Sequence, residues 1–266
     1  MIATRMLTNA VKPIKSHFPA LWIEAGLRWR KGHYEPELFL VPWLCNKDQI
    51  AIDVGANQGV YTYYMAKFAK EVMAFEPNID LEPVLKKVAN GNVRFQFVAL
   101  SNIQGESVMR IDPKDHGIST IERRNSFQVV NQAVHPVQRR VSTRTLDSFA
   151  LTDVSFIKID VEGHEEAVIQ GAYDTVRRNK PVLLIESEDQ HNSGAPRRVS
   201  GMLAELGYQG YFIRNCGLCA LDELQPHETD PRNYRNNIRY VNNFIFVQAD
   251  DQDKISQLRV AAKSLI

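Results

Sequence analysis

Short apolar runs alternate with segments of helical periodicity through most of this chain. Residues 50–54 form a compact apolar run typical of a buried strand, and Val60, Tyr64 and Phe68 then fall on one helix face. This alternation predicts a mostly parallel sheet of seven strands with helices on both faces. The last two strands are expected to pair antiparallel at the edge of the sheet. The predicted strands are residues 50–54, 72–75, 93–101, 154–159, 181–185, 208–213 and 243–247, and the predicted helices are residues 60–68, 79–89, 165–178 and 196–206.

Two terminal segments flank the α/β domain, which we assign to residues 49–250. Residues 1–48 predict an N-terminal helical extension, because Leu21, Trp22, Ala25 and Trp29 fall at helical spacing. Its helix is either a cap on the domain or a contact with a membrane surface or a second copy of the chain. Residues 251–266 are expected to form a C-terminal helix.

Residues 102–147 interrupt the alternation and predict loops and short β segments. An insert between parallel strands lies close to their ligand-bearing ends, so we expect part of the acceptor site here. Its arginines either meet an anionic acceptor or form a solvated basic loop. Residues 234–240, together with Arg232, Arg235 and Arg239, likewise form either an acceptor-side loop or a packed aromatic loop. The arginines of the insert are Arg123, Arg124, Arg139 and Arg140.

Length, composition and charge restrict the class of protein. The chain has 266 residues, 44% of them hydrophobic, which suits one α/β domain with a full core. The formal net charge is +1 with no block of one sign, which argues against a nucleic-acid partner. No run approaches the ~20 apolar residues that span a bilayer, and the N-terminus lacks the apolar core of a signal peptide. We therefore expect a soluble cytoplasmic protein.

Three cysteines are too few for a disulfide scaffold and fit a reducing compartment. Cys216 and Cys219 form a lone C-x-x-C pair, and Cys45 is remote in sequence. A structural zinc site needs two further ligands at suitable spacing, which are missing. We expect residues 216–219 to form a turn between edge strands.

A glycine-containing turn, residues 55–59, lies between the first predicted strand and the first predicted helix. This arrangement aims backbone N–H groups at a ligand, and glycine allows close approach or a positive φ. The spacing differs from G-x-G-x-x-G, because Asn57 occupies the second glycine position and Gly59 comes one residue early. No Gly-Lys pair of a phosphate-binding loop follows. Glu76, at the tip of the second strand, is placed to accept ribose hydroxyls. We therefore predict a nucleoside-type cofactor without a pyrophosphate.

Five motifs occur in order along the chain. Together they resemble the FkbM family of S-adenosylmethionine-dependent methyltransferases over roughly residues 34–248. The resemblance implies a class I methyltransferase fold, which is Rossmann-like, and O-methylation, often of sugars or glycans. The motifs are Asp53-Val-Gly-Ala-Asn-Gln-Gly59, Glu76-Pro-Asn78, Val98-Ala-Leu-Ser101, Ile157-Lys-Ile-Asp-Val-Glu-Gly-His164 and Pro181-Val-Leu-Leu-Ile-Glu186.

The expected S-adenosylmethionine site collects residues that follow different strands. The turn of residues 55–59 should lie against the methionine and ribose parts, and Asp53 should order the turn or reach the amino group. Glu76 should bind the ribose, and Asn78 with residues 99–101 should lie near the adenine. The full expected set is Asp53, Gly55, Ala56, Asn57, Gly59, Tyr61, Thr62, Glu76, Pro77, Asn78, Ala99, Leu100, Ser101 and Asp160.

Methyl transfer to an alcohol needs a group that lowers the proton affinity of the hydroxyl. The candidate catalytic residues are Asp160, Glu162, His164 and Glu186, and two mechanisms remain open. In one, His164 or an acid removes the proton, although His164 could simply cap its helix. In the other, Asp160 with Glu186 or Glu188 holds Mg²⁺ or Mn²⁺, which prefer oxygen-rich ligand sets. Lys158, inside an apolar strand, is expected to pair with a nearby carboxylate.

Three function classes compete for this pattern. The first is an O-methyltransferase acting on a small-molecule or glycan acceptor, either as a monomer or as a homo-oligomer. The second is a cofactor-binding protein on the same fold without catalysis. The third is a nicotinamide-dependent oxidoreductase, which the missing dinucleotide fingerprint disfavours.

Overall fold

The computed structural model describes residues 17–29, 34–112, 119–123, 136–215, 217–230, 232–233 and 240–265. Some predictions lie outside these residues. They are residues 1–16 and 30–33 of the predicted N-terminal extension, Arg124 and neighbouring parts of the insert, Cys216, and residues 234–239 of the predicted acceptor-side loop.

A mostly parallel sheet forms the centre of the fold. Its strand order is β11-β10-β12-β9-β8-β1-β2-β3. The five strands from β9 to β3 pair in parallel, and β12, β10 and β11 continue the sheet antiparallel. The strands are β1 Ile50–Val54, β2 Glu71–Phe75, β3 Val93–Gln96, β8 Val154–Ile159, β9 Val182–Glu186, β10 Tyr208–Arg214, β11 Gly217–Ala220 and β12 Asn243–Gln248.

The described part of this sheet has eight strands, so the prediction of seven was wrong by one edge strand. The additional strand is β11, where the sequence predicted a turn. Leu218 and Cys219 pair antiparallel with Ile213 and Phe212 of β10, so the chain reverses after β10 and returns as an antiparallel strand. The expected antiparallel pairing of the last two predicted strands, which are β10 and β12, is confirmed.

A second, four-stranded sheet holds the insert, with strand order β4-β7-β5-β6. Residues 93–101 were predicted as one strand, but they divide between the two sheets. Val93–Gln96 pairs with β2 in the large sheet, whereas Ala99–Leu100 turns away and pairs with β7. The strands of the small sheet are β4 Ala99–Leu100, β5 Gly105–Ile111, β6 Ser119–Thr120 and β7 Val137–Arg144.

Helices cover both faces of the large sheet. The predicted helix over residues 165–178 is two helices that meet at Gly171. A Cβ at Gly171 would lie 2.0 Å from the backbone oxygen of Ser101, so the helical layer there touches the main chain before the insert. The helices are α1 Pro19–Trp29, α2 Val41–Leu44, α3 Val60–Met65, α4 Glu82–Val88, α5 Glu165–Gln170, α6 Tyr173–Asn179, α7 Ala195–Glu205 and α8 Gln252–Lys263.

Two apolar cores lie on opposite faces of the large sheet. Neighbouring strand residues alternate between them, since Ala51 belongs to one core and Ile52 to the other. Ile23 of α1 and Leu258 of α8 pack into the first core, whereas Val199 of α7 packs into the second. Near-continuous apolar strands are what burial on both faces requires. Within the described part of the chain, no helix has the length and hydropathy to cross a membrane.

Candidate functional site

The turn after β1 brings two strand ends into close contact. Gly55 adopts φ +83°, and a Cβ there would lie 1.8 Å from the backbone oxygen of Asp160 after β8. Only glycine can occupy this position without moving one of the strands. Asn57 also has a positive φ of 47°, which is uncommon outside glycine. The turn of residues 55–59 therefore lies directly against the end of β8.

Glu76 fastens this turn to the end of β2. Its two carboxylate oxygens accept hydrogen bonds from the backbone N–H groups of Asn57 and Asn78, each at 2.8 Å. The side chain is buried, and burial raises the pKa of Glu76 to about 7, although the two N–H groups oppose the shift. Each oxygen keeps a further lone pair, so the carboxylate can accept ligand hydroxyls as well.

One cavity, here named pocket A, lies between the large sheet and the insert. It contains about 590 Å³ of empty space, its open mouth included. Thr120 of β6 donates a hydrogen bond of 2.8 Å to the backbone oxygen of Glu162 and so joins two sides of the pocket. The lining is largely apolar with Glu76 at one side. It comprises Val54, Gly55, Asn57, Phe75, Glu76, Pro77, Val98, Ala99, Leu100, Met109, Ser119, Thr120, Ile121, Asp160, Val161, Glu162 and His164.

A second cavity, pocket B, adjoins pocket A and is more polar. It contains about 830 Å³ of empty space, its mouth included. Gly55, Asn57 and Asp160 line both cavities, so the two meet at the turn. The lining comprises Tyr34, Glu35, Leu38, Asp53, Gly55, Ala56, Asn57, Gln58, Val60, Tyr61, Lys158 and Asp160.

Asp53 presents an incompletely paired carboxylate to pocket B. Its side chain is 1% exposed, and its Oδ2 accepts the hydroxyl of Thr62 at 2.5 Å. Its Oδ1 is buried and has no hydrogen-bond partner among the described residues. Burial raises the pKa of Asp53, while Lys158 and Thr62 oppose the shift. A buried oxygen without a partner destabilises the fold unless a ligand donates a hydrogen bond to it.

Lys158 supplies the positive charge of pocket B. Its Nζ donates to Oδ2 of Asp160 at 2.7 Å and lies 4.6 Å from the centre of the Tyr61 ring. Burial alone would lower the pKa of Lys158, but Asp160 and the other nearby carboxylates raise it above its ordinary value. The expected pairing of Lys158 with a carboxylate is confirmed. Tyr61 in turn donates its hydroxyl to Glu35 at 2.9 Å.

His164 lines pocket A with both ring nitrogens engaged. Its Nε2 lies 3.0 Å from the hydroxyl of Ser101, and its Nδ1 lies 3.2 Å from a carboxylate oxygen of Glu122 in the insert. Burial lowers the pKa of His164, although Glu122 opposes this. The imidazole therefore links the end of β4, the insert and the turn after β8.

The three acids proposed as metal ligands, Asp160, Glu186 and Glu188, have other partners. Asp160 pairs with Lys158, whereas the amide of Asn242 donates to both Glu186 and Glu188 at 2.8 Å. No group of three or more histidines, cysteines or acids in the described residues could hold a metal ion. The predicted Mg²⁺ or Mn²⁺ trio therefore does not fit this geometry.

The acids behind pocket A are bridged by His191. Its Nε2 lies 3.0 Å from Glu162 and 3.1 Å from Glu188. Burial and neighbouring negative charge raise the pKa values of Glu162 and Glu186 well above their ordinary range. The pKa of Glu188 is lowered, because its hydrogen bonds to His191, Asn242 and Gln190 outweigh its burial. This group is a tightly bonded network beside the site.

The predicted site residues divide into two groups. Twelve of them line pocket A or B: Asp53, Gly55, Ala56, Asn57, Tyr61, Glu76, Pro77, Ala99, Leu100, Asp160, Glu162 and His164. Six line neither pocket: Gly59, Thr62, Asn78, Ser101, Glu186 and Glu188. Three of these six residues are hydrogen-bonded to residues that do line a pocket. Thr62 bonds to Asp53, the backbone of Asn78 bonds to Glu76, and Ser101 bonds to His164.

Several lining residues were not predicted from the sequence as site residues. Ser119, Thr120 and Ile121 come from the insert, and Tyr34, Glu35 and Leu38 come from the segment before β1. The position of the insert beside the strand ends was a usable signal for the first group. For the second group, no strand-tip position or periodicity in the sequence pointed to the site.

A family model described as the methyltransferase FkbM domain matches residues 53–213, which is more than half of the chain. The matched range begins at Asp53 and contains Glu76, Asp160 and the whole insert. The search of curated proteins found no significant match.

Solved structures resemble the chain at low identity. An FkbM methyltransferase from Methylobacillus flagellatus KT is 17% identical, with a TM-score of 0.49, and the match covers 76% of this chain and 44% of that one. The chain thus spans less than half the length of that protein. An rRNA methylase from Streptococcus thermophilus is 11% identical, with 81% and 96% covered and a TM-score of 0.46. A Streptococcus mutans protein in complex with SAH is 12% identical, with 80% and 98% covered and a TM-score of 0.46.

The family match confirms the resemblance drawn from the five motifs and the class I methyltransferase fold. The chain belongs to the FkbM methyltransferase domain family.

Proposed function

We propose that this chain transfers a methyl group from S-adenosylmethionine to a hydroxyl of a sugar, glycan or related small molecule. The observation that carries the proposal is the junction of pockets A and B at Gly55, Asn57 and Asp160. An elongated cofactor can cross this junction and present its methyl group to an acceptor in pocket B. The rest of the assignment follows from the chemistry of each lining.

The residues present fit S-adenosylmethionine. The apolar walls of pocket A suit an adenine ring, and Glu76 beside them suits the ribose hydroxyls. The unpaired Oδ1 of Asp53 suits the ammonium group of the methionine part in pocket B. The missing Cβ of Gly55 leaves room for the chain that connects them. In this assignment the insert closes over the adenine, and the segment before β1 faces the acceptor.

When bound, the cofactor supplies an electrophilic methyl group on a positively charged sulfur. The protein must orient the acceptor oxygen and take its proton. Among the candidate catalytic residues, Asp160 lines both pockets, whereas Glu162 and His164 line pocket A alone. We therefore assign the proton-accepting role to Asp160. Lys158 holds the orientation of that carboxylate through the 2.7 Å hydrogen bond.

The charge of pocket B supports a small-molecule acceptor over a nucleic acid. Glu35, Asp53 and Asp160 line it against the single described cation Lys158. A phosphate backbone would meet net negative charge there. The formal charge of the whole chain, +1, supplies no compensating attraction.

Calorimetric titration with S-adenosylhomocysteine tests the cofactor assignment, and a methylation assay then tests the reaction. The assay offers S-adenosylmethionine with a panel of neutral and amino sugars, with and without a chelator, and locates the new methyl group by mass spectrometry. We expect micromolar binding, O-methylated product and no effect of chelation. A protein that does not bind S-adenosylhomocysteine, or that methylates only carbon or nitrogen, would contradict the proposal.

A further inference from the structure

Pocket B has lining residues that the cofactor assignment above leaves unused. Besides the residues at the junction with pocket A, its lining includes Tyr34, Glu35, Leu38 and Tyr61. Residues 34–38 precede the family-matched range of 53–213. The wall that faces the acceptor is therefore supplied by a part of the chain outside the methyltransferase domain model.

Glu35 lies close to the proposed reacting centre although it is distant in sequence. Its carboxylate accepts the hydroxyl of Tyr61 at 2.9 Å, and the Tyr61 ring lies under Nζ of Lys158 at 4.6 Å. Lys158 donates to Asp160 at 2.7 Å. The Tyr61 ring and the Lys158 ammonium therefore connect a ligand group bound at Glu35 to the carboxylate that takes the proton.

The described lining of pocket B contains more negative than positive charge. Glu35, Asp53 and Asp160 face Lys158, which is buried and already bonded to Asp160. The ammonium group of the cofactor would donate a hydrogen bond to the unpaired Oδ1 of Asp53. Glu35 then remains as a carboxylate that no cation in the described lining contacts directly. Its side chain is open to solvent at the mouth, where an incoming ligand can reach it.

The electrostatics of Glu35 suit a cationic ligand. The protein around this exposed residue removes part of the water from its carboxyl group and raises the pKa of Glu35, and Asp160 and Glu188 add to this, while Lys158 opposes it. A positively charged ligand would favour the ionised carboxylate and form a charge-assisted hydrogen bond with it. The aromatic residues Tyr34 and Tyr61 beside it also attract cations through their ring faces.

We propose that the acceptor carries a protonated amine near the hydroxyl that is methylated, as an amino sugar does, and that Glu35 binds this amine. The inference rests on the proposed function and specifies its substrate class. Glu35 is then an acceptor-binding residue that selects cationic over neutral and anionic sugars. The hydroxyl of Tyr61 orients the carboxylate of Glu35.

The test measures binding of D-glucosamine and D-glucose to the full chain saturated with S-adenosylhomocysteine, near neutral pH. The two sugars differ only in an ammonium group and a hydroxyl. We expect D-glucosamine to bind about tenfold tighter, because a charge-assisted hydrogen bond is stronger than a neutral one. N-acetylglucosamine, whose amide is uncharged, should bind like D-glucose.

Two variants decide whether Glu35 is responsible. Glu35→Gln should remove the preference for D-glucosamine and leave the affinity for S-adenosylhomocysteine unchanged. Glu106→Gln, an exposed acid on β5 in the small sheet, should keep the preference. Equal binding of the two sugars, or no binding of either, would overturn the inference while the cofactor still binds. A preference that survives in Glu35→Gln would overturn it as well. Loss of cofactor binding in the wild-type chain would instead overturn the proposed function.

Discussion

Glu76 allows a quantitative test of the cofactor site through the substitution Glu76→Gln. The wild-type carboxylate accepts two backbone N–H groups at 2.8 Å, one on each oxygen. A glutamine amide has one acceptor oxygen, so one N–H group would face the amide NH₂ instead. Leaving a buried N–H donor without an acceptor costs about 1–3 kcal/mol. If ligand binding requires the turn to return to its wild-type conformation, this cost lowers the affinity for the cofactor roughly five- to hundredfold.

The pH dependence of binding gives a second, independent measure of the same group. The pKa of Glu76 is raised to about 7 in the ligand-free fold. Ribose hydroxyls donate hydrogen bonds, so they favour the ionised form that predominates above this value. At a pH one unit below the pKa only about a tenth of the molecules are ionised, and affinity should fall about tenfold. The variant should not show this dependence.

Stability should change with pH in the opposite direction. Because the folded pKa of Glu76 is raised, its contribution to stability is fully present below the ordinary pKa of 4.5 and is lost as the pH rises through about 7. Above that pH the ionised, buried carboxylate costs about 3 kcal/mol relative to acid conditions. The difference between wild-type and Glu76→Gln unfolding free energies across this range isolates the effect.

The assay is calorimetric titration with S-adenosylhomocysteine about one pH unit above and one below the pKa of Glu76, together with urea unfolding at each pH. The matched control is Glu71→Gln, at the opposite end of β2, where the glutamate bonds to Arg94 at 2.6 Å. This control should bind like the wild type. If Glu76→Gln also binds like the wild type and wild-type affinity is flat with pH, then Glu76 does not contact the ribose.

Three further substitutions test the fold around the site. Gly55→Ala should lower the free energy of unfolding by several kcal/mol, since it adds about 1–2 kcal/mol of left-handed strain to the clash with Asp160. The control Gly91→Ala, with open space around it, should change the free energy of urea unfolding by less than ~0.5 kcal/mol. Equal effects of the two substitutions would contradict the contact between Gly55 and Asp160. Gly201→Ala, in the open within α7, should stabilise by about 0.5–1 kcal/mol in the same assay, and a loss of stability would show an unexpected contact. Lys158→Met should leave Asp160 unpaired, lower the melting temperature and weaken S-adenosylhomocysteine binding, and unchanged values for both would show that the ion pair is dispensable.

The strand ends of the site could be predicted from the sequence because ligands of open α/β sheets bind at the carboxyl ends of the parallel strands. Gly55, Glu76 and Asp160 each follow a buried apolar run, and parallel strands bring their carboxyl ends to one edge. The structure brings Gly55 and Asp160 into direct contact and ties Glu76 to the same turn. The apolar runs and the strand-end rule together therefore predicted that these three residues lie close together, as they do in the structure.

Other parts of the site depend on contacts that periodicity does not contain. The apolar run of residues 93–101 is continuous in sequence, but its last part pairs with the insert and leaves the large sheet. Glu186 and Glu188 stand at a strand end and resemble metal ligands, yet the amide of Asn242 bridges them. Glu35 reaches pocket B from a segment without a strand or helix signal, through its bond to Tyr61.

The left-handed backbone at Asn57 and Glu162 has a consequence for how far this protein can be stabilised. The two residues have φ values of 47° and 54°, and both line pocket A. Glycine would relieve about 1 kcal/mol of strain at each position, but it would also delete a side chain from the pocket wall. Thermostability and ligand recognition therefore compete at these two positions, so a heat-resistant variant that keeps its activity should draw its stabilising changes from elsewhere in the fold.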